Sequence, residues 1–434
     1  MDVKTAFLNG TLDKEVYMKI PEGMKCAPQL KVKKVLKLKK ALYGLKIGPK
    51  KWFERFTEEM IKLGLENDLN EPCLFTWRKN GLFIIVIIYV DDILLTGNDI
   101  EKIILIKISL CNIFSMKDLG EPDTFLGLKI IRNKEMKEMK IQQSDYIEKM
   151  LTKFNMFESK PKDTPMVTRQ AKNKNNKINS EIRKPTNAPY RAAIGSLLYL
   201  SGATRPDIAY AVNRLARKQL SPTEEDWEDV KRVFRYLKGS IDLGLIYKGA
   251  SNKMEAITDS SFQDCEESGT TGGYLIKLFG DTIAWKSHKL RGTCKSTCHA
   301  EYLAMSEVCD DIVCFDKAIR DMLGRTMYPV TIWTDNKSAK DCVYMEGSHK
   351  LKGFDYEKLD EIEHRLKERE NTGTKLPMTK KHGDYVKLCA KEKKIEVKWV
   401  ASNENEADIM TKPLPQKSHN YLRNKIMNLK GNEY

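Results

Sequence analysis

The apolar run from Leu82 to Val90 ends abruptly on two adjacent aspartates, Asp91 and Asp92. The run is β-branched and aromatic, the composition of a central strand. It is well short of the roughly 20 residues needed to cross a bilayer as a helix. Ile93-Leu94-Leu95-Thr96-Gly97 then resumes as a second strand. The pattern predicts a hairpin inside a sheet, with carboxylates at its turn. Two aspartates at the end of an apolar strand are costly unless a cation or a hydrogen-bond network compensates them. On these residues alone, a cation site and a solvated acidic turn both remain open. A hard divalent ion such as magnesium, carrying a triphosphate, would want carboxylate oxygens at close range. Two-metal phosphoryl transfer needs a further carboxylate, and Asp2, at the end of a short opening strand, is the candidate.

At 434 residues the chain is too long for one core, and two or three domains are expected. Phe125–Ile131 and Lys137–Ile141 read as an antiparallel pair, and Ser144–Asn155 as a helix with a serine cap. Residues 168–188 are polar and carry no apolar stripe, as a linker would. Helices are expected over Tyr190–Ser201, Arg205–Lys218 and Thr223–Leu237. In the last, Trp227, Val230, Val233, Phe234 and Leu237 form a stripe.

From about Leu243 the pattern changes. Met254–Asp259, Gly272–Leu278 and Asp281–Lys286 read as antiparallel strands, and Ser296–Leu323 as a long helix. Val330–Asp335 and Ile395–Val400 read as strands and Asn403–Met410 as a last helix. Strands first, then strands alternating with helices, describe a mixed sheet with flanking helices. Four acids fall on these elements: Asp259, Glu301, Asp335 and Asp408. Singly each is an ordinary solvated carboxylate. Converging, they could hold two divalent ions about 4 Å apart.

Lys and Arg number 75 against 60 Asp and Glu, a net charge of +15. That surplus suits a polyanionic partner or simply a lysine-rich surface. Two basic clusters are candidates for backbone contacts to a duplex. One is Lys31, Lys33, Lys34, Lys37, Lys39 and Lys40. The other is Lys286, His288, Lys289, Arg291 and Lys295. The ten cysteines show no zinc-site spacing and read as reduced thiols of an intracellular protein. No signal peptide is visible, and no zinc finger or helix-turn-helix signature points to a DNA-binding regulator.

Several motifs in series resemble copia-type retrotransposon polyproteins. Residues 1–10 are similar to the first catalytic motif of their reverse transcriptases. Leu42-Tyr43-Gly44-Leu45-Lys46, with Trp52, is similar to a nucleotide- and template-contacting motif, and Tyr89-Val90-Asp91-Asp92-Ile93-Leu94 to the catalytic hairpin. Asp118-Leu119-Gly120-Glu121 with Phe125-Leu126-Gly127 resembles the primer-holding region, and Thr204-Arg205-Pro206-Asp207-Ile208 the connecting segment. The acid set resembles the RNase H domain, with Ala300-Glu301-Tyr302, Asp335-Asn336-Lys337-Ser338-Ala339, and Ala407-Asp408-Ile409 followed by Thr411-Lys412-Pro413-Leu414.

The resemblance implies an α/β and α+β multidomain chain: a partial reverse transcriptase palm and thumb (1–167), the polar linker (168–188), a helical connection (189–242), an RNase H-like mixed sheet with flanking helices (243–415) and a tail (416–434). It implies Asp2, Asp91 and Asp92 as polymerase metal ligands and catalytic residues, and Tyr43, Gly44, Lys46 and Lys50 as nucleotide-binding. It implies Asp259, Glu301, Asp335 and Asp408 as catalytic ligands of Mg2+ or Mn2+. The implied partners are an RNA–DNA hybrid, template RNA, DNA primer and deoxynucleoside triphosphates, with no membrane. The implied location is the cytoplasm, in virus-like particles, with access to the nucleus.

Two departures stand out. The family has Gln-Ala-Pro-Arg where this chain has Ile47-Gly48-Pro49-Lys50, so an amide is lost and a guanidinium fork becomes an ammonium. The family's fingers precede the first motif, where this chain opens. Polymerase activity of the chain alone is therefore expected to be absent or very low. Hybrid ribonuclease activity is expected, with a catalytically inactive nucleic-acid-binding relic as the alternative. His349 and His382, flanking a charged stretch from Asp355 to Thr379, are candidate loop groups near the scissile phosphate.

Overall fold

The computed structural model describes residues 1–24, 35–67, 71–168, 184–262, 269–290, 294–345 and 383–429. Lys31, Lys33, Lys34, Arg291, His349, His382, the stretch 355–379 and most of the expected linker lie outside these. The chain divides into two compact units. Met1–Pro122 and Ala318–Arg325 make up the described part of the first, and the other described residues form the second. Among the described residues, no helix is long and apolar enough to cross a membrane.

The first unit is built on a six-stranded antiparallel sheet. Its order is Glu66–Asn67, Leu74–Lys79, Leu82–Tyr89, Asp92–Gly97, Asp2–Val3 and Met116–Lys117. The apolar run lies inside it, with Ile84, Ile85, Val86 and Ile88 buried. Helix Gly48–Lys62 begins with a proline in its first turn, where a missing N–H costs nothing. Its Trp52, Phe56 and Met60 recur at every fourth residue and are buried with Phe75, Ile84 and Phe114. Helix Ile100–Ile113 starts where the Asp99 side chain accepts from the Lys102 amide at 3.0 Å.

The second unit contains two sheets and a helical cluster. A four-stranded antiparallel sheet runs Gly244–Tyr247, Glu138–Gln142, Leu128–Asn133, Thr124–Phe125. Gly244 is required there, because a Cβ on it would stand 2.4 Å from the Ile141 carbonyl oxygen. The apolar face of helix Ser144–Lys153 (Ile147, Met150, Leu151) packs with Leu197, Val230 and Phe234 of helices Tyr190–Ala203 and Glu224–Lys238. Helix Ser144–Lys153 thus completes the helical cluster, and the residues from Asp123 onward group with the second unit. Apolar stripes decide this, since the face of helix Ser144–Lys153 finds its partners downstream in sequence.

The five-stranded sheet has the order Asp281–Lys289, Thr271–Leu278, Met254–Ser261, Val330–Thr334, Ile395–Trp399. The first three strands are antiparallel and the last two join in parallel. The expected helix at 403–410 is instead a short 3-10 turn, Ser402–Glu404, and a helix over Asp408–Thr411. The expected tail holds helix Gln416–Met427. Its Leu422, Ile426 and Met427 are buried with Ile257, Leu275 and Met410, because their spacing forms one apolar face.

A polar node lies in the interior of this unit. The Arg205 guanidinium donates to both carboxylate oxygens of Asp207, Nε to Oδ1 at 2.9 Å and Nη2 to Oδ2 at 2.8 Å, with both side chains fully buried. It also donates to the Ser240 carbonyl, and Tyr236 donates to Asp207 Oδ2 at 2.6 Å. His419 of the last helix reaches the Asp207 carbonyl oxygen at 3.3 Å. Every polar atom of the ion pair is thus answered, which is the condition for keeping a charge pair in an apolar interior.

Candidate metal centre

Asp259 lies on the central strand of the five-stranded sheet and Glu301 in the first turns of helix Thr297–Leu323. Asp335 follows strand Val330–Thr334 directly. Asn336 then caps helix Lys337–Tyr344, accepting from the Ala339 amide at 2.9 Å, so Asp335 is presented at a strand-to-helix turn. The ligand oxygens of Asp259, Glu301 and Asp335 all lie within 4.8 Å of one another.

Burial makes the cluster electrostatically expensive. Asp259 is 2% exposed and Glu301 4%. Burial pushes both carboxyls above the usual range, that of Glu301 well above it, and the neighbouring acids add to the effect. Glu301 Oε1 accepts from the Ser260 amide at 3.1 Å and the Ser260 hydroxyl at 3.0 Å, whereas its buried Oε2 has no hydrogen-bond partner. An orphan buried oxygen facing two further carboxylates fits a hard divalent cation such as Mg2+ or Mn2+.

Asp408 stands beside this trio rather than within it. Its Oδ1 is 2.8 Å from the Lys412 ammonium, and the same ammonium is 3.6 Å from Asp259 Oδ2. Burial, then the charge of Asp259, raises the Asp408 carboxyl to about 7 against the pull of Lys412. Burial alone would lower the Lys412 ammonium, but Asp259 and Asp408 raise it.

Residues with no chemistry of their own bring these groups together. Gly273 is the ladder partner of Asp259, and a Cβ on it would stand 2.5 Å from the Met410 side chain. Its absence admits the short helix, so that the Thr411 hydroxyl donates to Asp259 Oδ2. Buried Asn405 donates to the Thr258 carbonyl at 3.1 Å and accepts from the Ala407 amide, pinning the segment before Asp408 to the same strand. The Trp399 indole donates to the Asp335 carbonyl at 3.0 Å. Sequence reading singled out none of Gly273, Asn405 or Trp399. The paired glycines Gly272-Gly273 inside a strand were the available signal, since such glycines mark close approach.

In the first unit Asp2 is directly opposite Asp92 across the ladder, and Tyr89 pairs Asp92 across the hairpin. Val90 at the turn has φ 56°, a conformation that a β-branched side chain rarely adopts. Asp2, Asp91 and Asp92 are all half-buried, and the Asp92 carboxyl is raised by burial and by the charges of Asp91 and Asp2. Among the described residues these three do not converge as closely as the Asp259 trio. Tyr43, Gly44, Lys46 and Lys50 are exposed. The Tyr43 ring lies 4.4 Å from that of Phe7, and Lys50 is 3.8 Å from Glu54.

Of the second basic cluster, Lys286 and His288 both pair with Glu307. That carboxylate partly neutralises the track expected there. In the first cluster, Lys37 is paired with Glu15, while Lys39 and Lys40 are exposed.

Residues 1–168 match the family described as reverse transcriptase (RNA-dependent DNA polymerase). The chain is 32% identical over 420 residues to the retrovirus-related Pol polyprotein from transposon TNT 1-94 of Nicotiana tabacum, covering 96% of this chain and 30% of that one. It is 33% identical over 343 residues to the Pol polyprotein from transposon RE2 of Arabidopsis thaliana, covering 78% and 23%. It therefore spans a third or less of these curated relatives. A transposon Ty5-1 protein of Saccharomyces cerevisiae is 31% identical over 318 residues, 72% of this chain and 100% of that protein.

Proposed function

Since the chain belongs to the copia-type retrotransposon Pol polyproteins, we propose that residues 243–415 form an RNase H-type ribonuclease. It would cut the RNA strand of an RNA–DNA hybrid with two divalent ions. The observation that carries this reading is the convergence of Asp259, Glu301 and Asp335 within 4.8 Å. They do so on a sheet whose first three strands are antiparallel and whose last two are parallel.

Asp259, Glu301 and Asp335 would hold the ions, with Asp408 at the edge. Bound there, magnesium supplies an activated water and charge stabilisation at the leaving 3′ oxygen. The rest is the work of the chain. Ser260 fixes the Glu301 carboxylate, Thr411 fixes that of Asp259, and Trp399 holds the Asp335 backbone. The acids are thereby held in place before substrate arrives, which is what electrostatic catalysis requires.

The test is hydrolysis of a labelled hybrid by the full chain with Mg2+ or Mn2+. Asp259→Asn and Asp335→Asn should each lower the rate at least roughly 100-fold, about 3 kcal/mol of transition-state stabilisation. Asp408→Asn should cost less. Wild-type protein without metal-dependent cleavage would defeat the reading and leave a nucleic-acid-binding relic.

The reverse transcriptase match spans residues 1–168, which include the hairpin acids of the first unit. We propose Asp2, Asp91 and Asp92 as metal-holding acids of the polymerase fold, with primer extension by this chain alone absent or very low, since Ile47 and Lys50 stand where the family has glutamine and arginine. Robust magnesium-dependent extension of a DNA primer on template RNA would overturn the weak-activity claim.

A further inference from the structure

Lys412 is the cation that the structure itself places among the acids. Its ammonium bridges Asp408, at 2.8 Å, and Asp259, at 3.6 Å. On the Asp259–Glu301–Asp335 side only Asp259 meets that ammonium among the described ion pairs, and Glu301 Oε2 stands without a hydrogen-bond partner. The cluster therefore has two unlike halves, one open to a cation and one already filled.

We propose that Lys412 is a built-in counter-cation that closes the Asp259–Asp408 half of the site to a divalent ion until a phosphodiester draws its ammonium away. The inference rests on the reading of this cluster as a metal centre. The physical basis is charge balance. A lysine and a divalent ion cannot share the same two carboxylate oxygens, because like charges at contact distance repel strongly in a buried site. A backbone phosphate offers the ammonium another anion of equal charge. Lys412 has the reach for this, since its side chain is 37% exposed while the carboxylates it bridges are 2% and 15% exposed. The stem is a flexible four-carbon chain ending in a compact charge, suited to moving between anions. The outcome would be a site whose second ion loads only with substrate, so that metal alone does not assemble a complete hydrolytic centre.

The experiment is calorimetric titration of Mn2+ into the full chain carrying Asp91→Asn and Asp92→Asn, so that the first unit's hairpin acids do not contribute. Without nucleic acid, the Lys412 protein should bind one Mn2+. With a hybrid whose RNA strand is 2′-O-methylated, and so resists cleavage, it should bind two. Adding Lys412→Gln should give two Mn2+ without hybrid, where the Lys412 protein takes up one. If that variant does not fold, Lys412→Arg serves instead. It keeps the charge and pairs Asp408 more firmly, and should weaken the hybrid-dependent second ion severalfold. Identical stoichiometry and affinity in the Lys412 and Lys412→Gln proteins, or no weakening by Lys412→Arg, would overturn the role of Lys412 while leaving the metal centre intact. No Mn2+ binding by any of them would overturn the metal centre, and this inference with it.

Discussion

The indole Nε1 of Trp52 donates a 2.6 Å hydrogen bond to the carbonyl oxygen of Val90. Trp52 is 2% exposed on a helix, and Val90 sits at the hairpin turn with φ 56°. A strained turn persists only where its surroundings hold it. Here a buried side chain anchors the residue beside both hairpin acids.

Trp52→Phe keeps an aromatic ring in the core but removes this donor. The opening of the hairpin should become easier by about 1–2 kcal/mol, so exchange of nearby amides should quicken about tenfold. The amides to follow are Val3, which donates to Asp91, and Ile93, which donates to Met1. Unchanged exchange at both would mean the turn is held by other contacts.

Arg205→Met should destabilise the second unit by about 3–5 kcal/mol, because it leaves Asp207 charged, buried and unanswered. Arg205→Met combined with Asp207→Leu should recover most of that loss. The measurement is the urea midpoint of each variant. A double variant as unstable as the single would show that packing around the guanidinium, not charge, is what matters.

The same node sets a pH dependence. Burial pushes the Asp207 carboxyl up, but Arg205 and the hydrogen bonds from Arg205 and Tyr236 outweigh it and hold the group at about 2. Its contribution to stability is whole above 3.8 and is lost as pH falls toward 2. His419 has the opposite character. Burial, with Arg423 and Arg205 nearby, lowers it to about 4 from 6.5, against the pull of Asp207. The unfolded chain therefore takes up a proton on this histidine below 6.5, and the folded chain does not until about 4. The histidine's own contribution should drain across that window by about 3 kcal/mol, opposed by Asp408, whose folded carboxyl takes up its proton at about 7. His419→Gln should remove the histidine's loss, so that its melting temperature gains on the wild type's as pH falls from 6.5 to 4, and leave the fall below 4 in place. A variant whose profile parallels the wild type would remove His419 as the cause.

Glu301→Gln should raise stability while lowering hybrid cleavage. The amide keeps an oxygen for Ser260 but removes one charge from a buried cluster of acids. In metal-free buffer the gain should be about 1 kcal/mol or more, the common trade between a strained site and a relaxed one. Melting in EDTA and cleavage in Mg2+ decide it together. A loss of stability in EDTA would show that the cluster is not repulsive.

The strands and their acids were readable because their signals are local. Leu82–Tyr89 is a run of branched side chains ending at an acidic pair; Asp259 lies within a strand that runs on to Ser261, Asp335 directly follows one, and Glu301 is in the first turns of a helix. What escaped was set by approach between distant segments. The bare Cα of Gly273 admits Met410 and Thr411, and Asn405 reaches the Thr258 carbonyl. Lys412 could be seen as part of a motif but not as an ion-pair partner, since that depends on where a four-residue helix is docked. The last helix was missed because its apolar residues are few, although Leu422 and Ile426 are four apart and both buried.

The four-stranded sheet has a kinetic consequence. Strand Glu138–Gln142 gains its partner Gly244–Tyr247 only after the intervening helices have been made. During synthesis at roughly 5–20 residues per second, its outer edge stays unpaired for several seconds. An open edge is a template for strands of other chains. Nascent copies crowded on one messenger would be exposed to that hazard, and a helper that shields the edge until Gly244 arrives would raise the yield of folded protein.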